Sequence, residues 1–325
     1  MRILVTGGAG FIGSNYVRRL LEGRYPETEQ AHVTVVDKLA YPANPANLDG
    51  VADPARLDVV RGDITDRPLM LRLMRGTDLV VHFAAEPHVD RSIAGSADFI
   101  ATNVVGTHNL LQCALETGVD RFVHVSTDEV YGSIAVGSWE ETRPLEPGSP
   151  YSASKASADL IAGSFHRTHG LDVRITRCTA NYGPRQSPAE FIPRAITRLL
   201  HGMPVPLDGE GANVRDWLHV DDHCRAVALV AAKGRPGEVY NIGGGAELTN
   251  RELTGMLLDI LGADWSMVRR VEDRLGHDLR FSVDHRKIGD ELGYRAEIPL
   301  ERGLADTVGW YLGNRAWWEG AVQAA

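Results

Sequence analysis

Tyr151 and Lys155 stand four residues apart at the start of a stretch with helical patterning, Tyr151-Ser-Ala-Ser-Lys155. That spacing puts both side chains on one helix face. A free phenol titrates near ~10, too high to act as a base at neutral pH. A neighbouring ammonium stabilises the phenolate and brings it into use. Such a pair can take the proton from an alcohol while hydride leaves the carbon. Upstream, the strand-like run Phe122–Ser126 ends in Thr127-Asp128-Glu129-Val130-Tyr131-Gly132. Residues at the carboxyl ends of parallel strands face the ligand crevice, where the Thr127 hydroxyl can hold the same oxygen by a hydrogen bond.

Hydride needs an acceptor, and the start of the chain supplies a place for one. The run Ile3–Thr6 leads into Gly7-Gly8-Ala9-Gly10-Phe11-Ile12-Gly13, followed by a helical pattern. Glycines at 7, 10 and 13 allow a tight turn and let a pyrophosphate approach the helix N-terminus, where free N–H groups favour it. The second strand ends at Asp37, whose carboxylate can bind both ribose hydroxyls of NAD and would repel the extra phosphate of NADP. Lys38 weakens that preference without reversing it. Asp63 and Ile64, after the third strand, can reach the adenine. The NAD contacts assigned are Gly7, Gly10, Phe11, Ile12, Gly13, Asp37, Lys38, Asp63, Ile64, Ala84 and Ala85, with Tyr151 and Lys155.

These residues need a scaffold that gathers strand ends. β-branched runs at Ile3–Thr6, Val33–Val36, Leu57–Arg61, Leu79–Phe83, Phe122–Ser126 and Val173–Arg177 alternate with helical patterns near 12–22, 66–75, 100–118 and 151–169. Continuous apolar strands separated by helices predict an α/β fold, a doubly wound parallel sheet of Rossmann type covered on both faces. After about residue 178, Pro and Gly become dense. The expected organisation is residues 1–178 for NAD and the catalytic groups, and 179–325 mainly for substrate in a smaller α/β domain, with some chain crossing back.

The net charge of -9, with Arg and Lys scattered, argues against nucleic acid as a partner. Three widely spaced cysteines, with no CxxC pair, suggest neither a disulfide framework nor zinc and fit a cytoplasmic setting. No apolar run is long enough to span a bilayer, and no metal is expected.

The sequence resembles the dTDP-glucose 4,6-dehydratase family of extended short-chain dehydrogenases/reductases. The resemblance rests on Thr6–Gly13, the segment His82-Phe-Ala-Ala-Glu-Pro-His-Val-Asp-Arg-Ser92, Thr127–Gly132 and the Tyr151/Lys155 pair. It extends to Asn213-Val-Arg-Asp-Trp-Leu218, Asn241-Ile-Gly-Gly244 and Asp273-Arg-Leu-Gly-His-Asp278, and so covers nearly the whole chain. The acid pair Asp128-Glu129 is its most specific element, since related epimerases need none. The resemblance implies a redox-neutral cycle. Tyr151 and NAD oxidise the sugar at C4, Glu129 removes the acidified C5 proton, Asp128 protonates the departing C6 hydroxyl, and hydride returns to C6. Repulsion between adjacent carboxyls can keep one of them protonated. It also implies that Glu86 touches sugar hydroxyls and that Arg215 and Arg280 clamp the diphosphate, against the alternative of structural ion pairs. Asn181, Arg185, Glu190, Asn241 and His277 complete the substrate set. The nucleotide is expected to be dTDP ahead of UDP, and the assembly a homodimer.

One segment departs from the family. In 178–193, Ala180 replaces an Asn, and Ala189-Glu190 replaces Glu-Lys, so that a carboxylate stands where a lysine should meet the substrate. This opens a second chemistry, decarboxylation of a nucleotide glucuronate through a 4-keto acid, with Arg185 neutralising the substrate carboxylate beside Asp128 and Glu129. A non-catalytic nucleotide-binding protein on the same fold is a third reading, against which the intact catalytic set speaks.

Other signals are assigned to structure. His219-Val-Asp-Asp-His223 reads as a capping and packing motif rather than a metal site. His88 and Asp90 are expected to order the loop behind Glu86. Trp310, Trp317 and Trp318 read as packing, and Cys178 receives no catalytic role.

Overall fold

A computed structural model describes residues 1–25, 28–40, 42–273 and 276–323. Arg274 and Leu275, within one of the family-like segments, lie outside the described residues.

The first half alternates strand and helix: β1 (Arg2–Thr6), α1 (Phe11–Leu21), β2 (His32–Asp37), β3 (Leu57–Arg61), α2 (Arg67–Met74) and β4 (Leu79–His82). There follow α3 (Val89–Ala94), α4 (Ala97–Phe99), a π-helical segment Ile100–Gly106, α5 (Thr107–Thr117), β5 (Arg121–Thr127), α6 (Pro150–His169) and β6 (Val173–Cys178). Local chemistry sets the helix ends. Asp66 caps α2 by accepting the Leu69 N–H at 3.0 Å. Ser149 and Ser152 form a reciprocal capping box at the start of α6, and Gly170 ends that helix in the left-handed region.

The second half contains β7 (Ala180–Tyr182), α7 (Phe191–Leu200), β8 (Val205–Asp208), β9 (Val214–His219), α8 (Val220–Lys233), β10 (Val239–Ile242), β11 (Glu247–Thr249) and α9 (Asn250–Leu261). It ends with β12 (Val268–Val271), α10 (Arg286–Leu292), α11 (Leu300–Gly313) and α12 (Arg315–Gln323).

The main sheet has seven strands in the order β10-β6-β5-β4-β1-β2-β3, every neighbouring pair parallel. Alternation along β1 explains its two covers. Ile3 and Val5 face a core shared with Tyr16, Val17 and Leu20 of α1 and Val227 and Val230 of α8. Leu4 faces the opposite core with Met70, Met74, Leu110, Leu111 and Phe165. A third core joins Tyr182, Ile196, Trp217, Leu257, Leu304, Tyr311 and the fully buried Trp318. It lies under a three-stranded sheet β11-β9-β7 and a pair β12-β8.

The chain therefore returns to the main sheet after residue 179, with α8 on one face and β10 as its edge strand. The sequence patterning gives six strands of this sheet. The seventh spans four residues between Gly237 and Gly243, too short to stand out in a Gly- and Pro-rich region. Of the motifs assigned to structure, His219 caps α8 by accepting the Asp221 N–H at 3.2 Å. Asp222 accepts the N–H groups of Glu297 and Ile298. No helix among the described residues is long and apolar enough to cross a membrane.

Candidate active site

The carboxyl ends of β1, β2, β4, β5 and β6 open onto one cavity of about 550 Å³, closed on its far side by residues from β7, α7, β9 and the segment before α10. A crevice outside the strand ends, at the β4/β1 reversal of strand order, is where doubly wound sheets hold ligands.

The glycine turn is built for close approach. Gly7 has φ +70, and a Cβ there would lie 2.6 Å from the Ala84 nitrogen; a Cβ on Gly13 would lie 2.3 Å from the Gly7 carbonyl oxygen. Side chains at these positions would push the turn apart and fill the space at the N-terminus of α1. Asp37 is buried and accepts the N–H groups of Ala9 (3.0 Å) and Leu39 (2.8 Å). Burial raises its carboxyl above the ordinary value, opposed by these hydrogen bonds. Gly10, Phe11, Ile12, Lys38, Asp63, Ile64, Ala84 and Ala85 line the same end of the cavity. This arrangement fits a dinucleotide: a side-chain-free turn for the diphosphate and a carboxylate placed for ribose. Lys38 is ion-paired with Glu86 across the floor, which joins the ribose end to the sugar end.

β5 delivers Thr127 to the cavity and then tightens into a 3-10 turn, Asp128–Tyr131, ended by Gly132 at φ +77. Thr127 Oγ1 donates to Asp128 Oδ1 at 3.3 Å and accepts the Glu129 N–H at 3.3 Å. Asp128 is 5 % exposed. Burial, then the adjacent Glu129, push its carboxyl up to about 8, so it holds its proton at neutral pH. Tyr151 and Lys155 share the inner face of α6. Ser92 Oγ accepts the Tyr151 N–H at 3.1 Å, and Lys155 Nζ donates to the Val125 carbonyl at 2.8 Å. Burial, then Glu129, hold the Tyr151 phenol well above its ordinary value; burial lowers Lys155. In the protein alone, desolvation therefore keeps the phenol protonated. Cys178 lines the cavity too, but its thiol donates to the Ser126 carbonyl at 3.5 Å and burial pushes it up to about 12.

At the sugar and nucleotide end, Glu86, Asn181, Glu190, Arg215 and His277 all line the cavity. Arg215 stacks on Phe281, 4.6 Å from its ring centre, and donates to the Asp278 carbonyl at 3.0 Å. His277 Nδ1 lies 2.6 Å from Asp273 Oδ1.

Three residues expected at the substrate are placed elsewhere. Asn241 is wholly buried in the sheet edge, accepting from Tyr131 Oη at 2.8 Å and donating to the Trp139 carbonyl at 2.9 Å. Arg280 grips Glu247 through two hydrogen bonds of 2.9 Å and donates to the Gly137 carbonyl, tying the loop after β5 to β11. Arg185 has φ +69, and its guanidinium lies over Trp310, 5.4 Å from the ring centre. Conversely, Arg194, Gln186, Asn250 and Phe281 line the cavity without having drawn attention in the sequence. For Arg194 the signal was within reach, since it lies one helical turn beyond Glu190.

The chain matches the family model described as GDP-mannose 4,6 dehydratase over residues 4–307. It is 59% identical over 320 residues to dTDP-glucose 4,6-dehydratase of Streptomyces antibioticus, covering 98% of this chain and 95% of that one. The fold superposes with TM-score 0.97 on DesIV, a dTDP-glucose 4,6-dehydratase of Streptomyces venezuelae solved with NAD and TYD bound, at 64% identity over 98% of this chain and 99% of that one. The chain belongs to the dTDP-glucose 4,6-dehydratase family. A UDP-glucose 4-epimerase of Thermotoga maritima shares the fold at 34% identity and TM-score 0.89, covering 97% and 100% of the two chains. The fold alone therefore does not select the dehydratase; the Asp128-Glu129 turn is the local feature that the family resemblance singles out. Ala180 and Glu190, where this chain departs from the family pattern, both stand in the cavity wall.

Proposed function

We propose that this chain is an NAD-dependent lyase that converts dTDP-glucose to its 4-keto-6-deoxy product. The observation that carries the reading is the buried Asp128 carboxyl beside Glu129, in the cavity that also holds Tyr151 and Lys155; burial and Glu129 raise it to about 8.

NAD, held by the Gly7–Gly13 turn and Asp37, would supply a hydride acceptor for C4 and a hydride donor for C6, so that the cycle would have no net redox change. The protein handles the protons. As the phenolate, which the Lys155 ammonium one helical turn on favours, Tyr151 receives the C4 hydroxyl proton, and Thr127 holds that oxygen. Once C4 is a ketone, Glu129 removes the proton at C5, Asp128 gives its own to the C6 hydroxyl, which leaves as water, and Glu129 returns its proton to C5 as hydride reaches C6. A donor poised near 8 suits that step, since a carboxyl at its ordinary value would already be ionised. Arg215 and His277 face the nucleotide-diphosphate end, with dTDP preferred over UDP.

Decarboxylation of a glucuronate has less support. It relied on Arg185 beside the carboxyl pair, and Arg185 lies over Trp310 instead. The test is mass spectrometry of products from dTDP-glucose and dTDP-glucuronate in separate incubations. Loss of water from the glucose compound is expected; loss of CO2 from the glucuronate with the glucose compound untouched overturns the reading.

The reading includes a cytoplasmic setting, supported by three buried free cysteines, and a homodimer. Ile93, Ile100, Val105 and Leu160 are exposed on neighbouring helical segments, Ile100 47% and Leu160 60%, which suits a helix-to-helix interface. Light scattering at the mass of one chain would count against the dimer.

A further inference from the structure

Tyr151, Lys155 and Asp159 follow one another at four-residue intervals along the inner face of α6. Asp159 is 2 % exposed and is absent from the cavity wall, so it touches neither cofactor nor substrate. Its carboxylate joins two strands of the main sheet. Oδ2 accepts from Arg177 Nε on β6 at 2.8 Å, and Oδ1 lies 3.2 Å from His124 Nε2 on β5. His124 directly precedes Val125, whose carbonyl accepts the Lys155 ammonium at 2.8 Å. Arg177 continues to Tyr131 Oη at 2.6 Å, and Tyr131 to Asn241. A buried carboxylate of this kind is costly without a purpose, since an apolar group would fill the space as well.

We infer that Asp159 is a positioning residue for the Tyr151–Lys155 pair, fixing α6 against β5 and β6 and supplying the buried negative charge that balances the Lys155 ammonium. The catalytic meaning of that balance rests on the function proposed above. The placement does not: Asp159 stands one helical turn beyond Lys155 on the same face of α6, and among the titratable groups near Lys155, His82 on β4 and His124 on β5 are held neutral by burial. Cys178 on β6 keeps its proton, and so does Asp128 on the turn after β5 at neutral pH. Glu129 lines the cavity with Tyr151. Asp159, held down to about 2 chiefly by Arg177 against the cost of burial, is ionised, and its charge raises the affinity of Lys155 for its proton. Arg177 is its partner on β6, facing the Oδ2 side.

The chain has four lysines, Lys38, Lys155, Lys233 and Lys287, so NAD-loaded enzyme carrying lysine labelled with carbon-13 at Cε gives few signals, and Lys155→Arg assigns the relevant one. In Asp159→Asn the Lys155 signal is expected to titrate about one pH unit or more below its wild-type position, the other three staying in place, and Asp159→Glu restores it. If the single variant does not fold, Asp159→Asn with Arg177→Gln replaces the ion pair by a neutral hydrogen-bonded pair, and a smaller shift in the same direction is expected. A folded variant whose Lys155 signal titrates as in the wild type overturns the inference. The alkaline limb of dTDP-glucose turnover is measured in parallel and is expected to fall by the same shift. Absence of wild-type turnover would count against the proposed reaction, while the lysine titration still decides the role of Asp159.

Discussion

His88 Nδ1 lies 3.2 Å from Glu190 Oε1, a contact that joins the loop after β4 to the N-cap of α7 across the sugar end of the cavity. Glu190 stands where the family pattern described above has a lysine, and here its carboxylate has an imidazole as its neighbour. Pairs at partly exposed positions contribute up to ~1 kcal/mol, or roughly fivefold in affinity. Glu190→Gln keeps the shape and removes the charge. It is expected to raise KM for dTDP-glucose about 2–5-fold with kcat little changed, as measured by initial rates. A fall in kcat at constant KM would place Glu190 in the chemistry instead.

The Asp128 carboxyl gives a stability prediction whose sign can be worked out. Its folded value of about 8 lies above the unfolded value near 3.9. The folded state therefore binds the extra proton between those limits, and the wild type loses stability as pH rises through that window. Asp128→Asn removes this dependence. Its melting temperature relative to wild type is expected to be least favourable near pH 4 and to improve steadily toward pH 9. A difference that stays constant with pH would show that Asp128 is ionised in the folded protein. The same variant is expected to lose about 10²-fold or more in water elimination.

How much of this was legible in the sequence depends on whether the signal was local. The glycine turn, Asp37, the end of β5 and the Tyr151/Lys155 spacing each lie within one strand-turn or helix segment, and the sheet brings them together as soon as its strands are parallel. The helix predicted near 151–169 is α6 at Pro150–His169. The expectations for Arg185, Asn241 and Arg280 rest on motif position alone, and a motif does not say which way a side chain leaves the backbone. The positive φ of Arg185, the burial of Asn241 between Tyr131 and Trp139, and the distant Glu247 awaiting Arg280 are all tertiary facts. Phe281 escapes for the converse reason: nothing in its neighbours marks it until the second half folds over the first, whereas Arg194 is within reach of the helical spacing from Glu190.

Tyr151→Phe removes a single oxygen from a half-buried ring that packs edge-on to Phe99, with centroids 6.4 Å apart, so the fold is expected to survive. Loss of the proton acceptor is expected to cost about 10²–10⁴-fold in C4 oxidation, with NAD still bound, because the glycine turn and Asp37 are untouched. The assay is NADH absorbance under single-turnover conditions, alongside the NAD content of purified protein. Activity within a few-fold of wild type would remove Tyr151 from the mechanism.

Arg185 separates the two chemistries. Over Trp310 it acts as a packing cation, worth about 0.5–1 kcal/mol at a partly exposed site, and it lies near Arg18 and Arg19, which together with burial lower its affinity for its proton. Arg185→Ala is therefore expected to leave dTDP-glucose turnover within about twofold and to cost the protein no more than that stacking contribution, seen as a small drop in denaturation midpoint. Were Arg185 the group that neutralises a substrate carboxylate, the variant would instead keep its stability and lose turnover of a glucuronate compound by orders of magnitude. Measuring both substrates with both proteins decides between the positions, because the stability change and the activity change cannot both follow from one placement of the guanidinium.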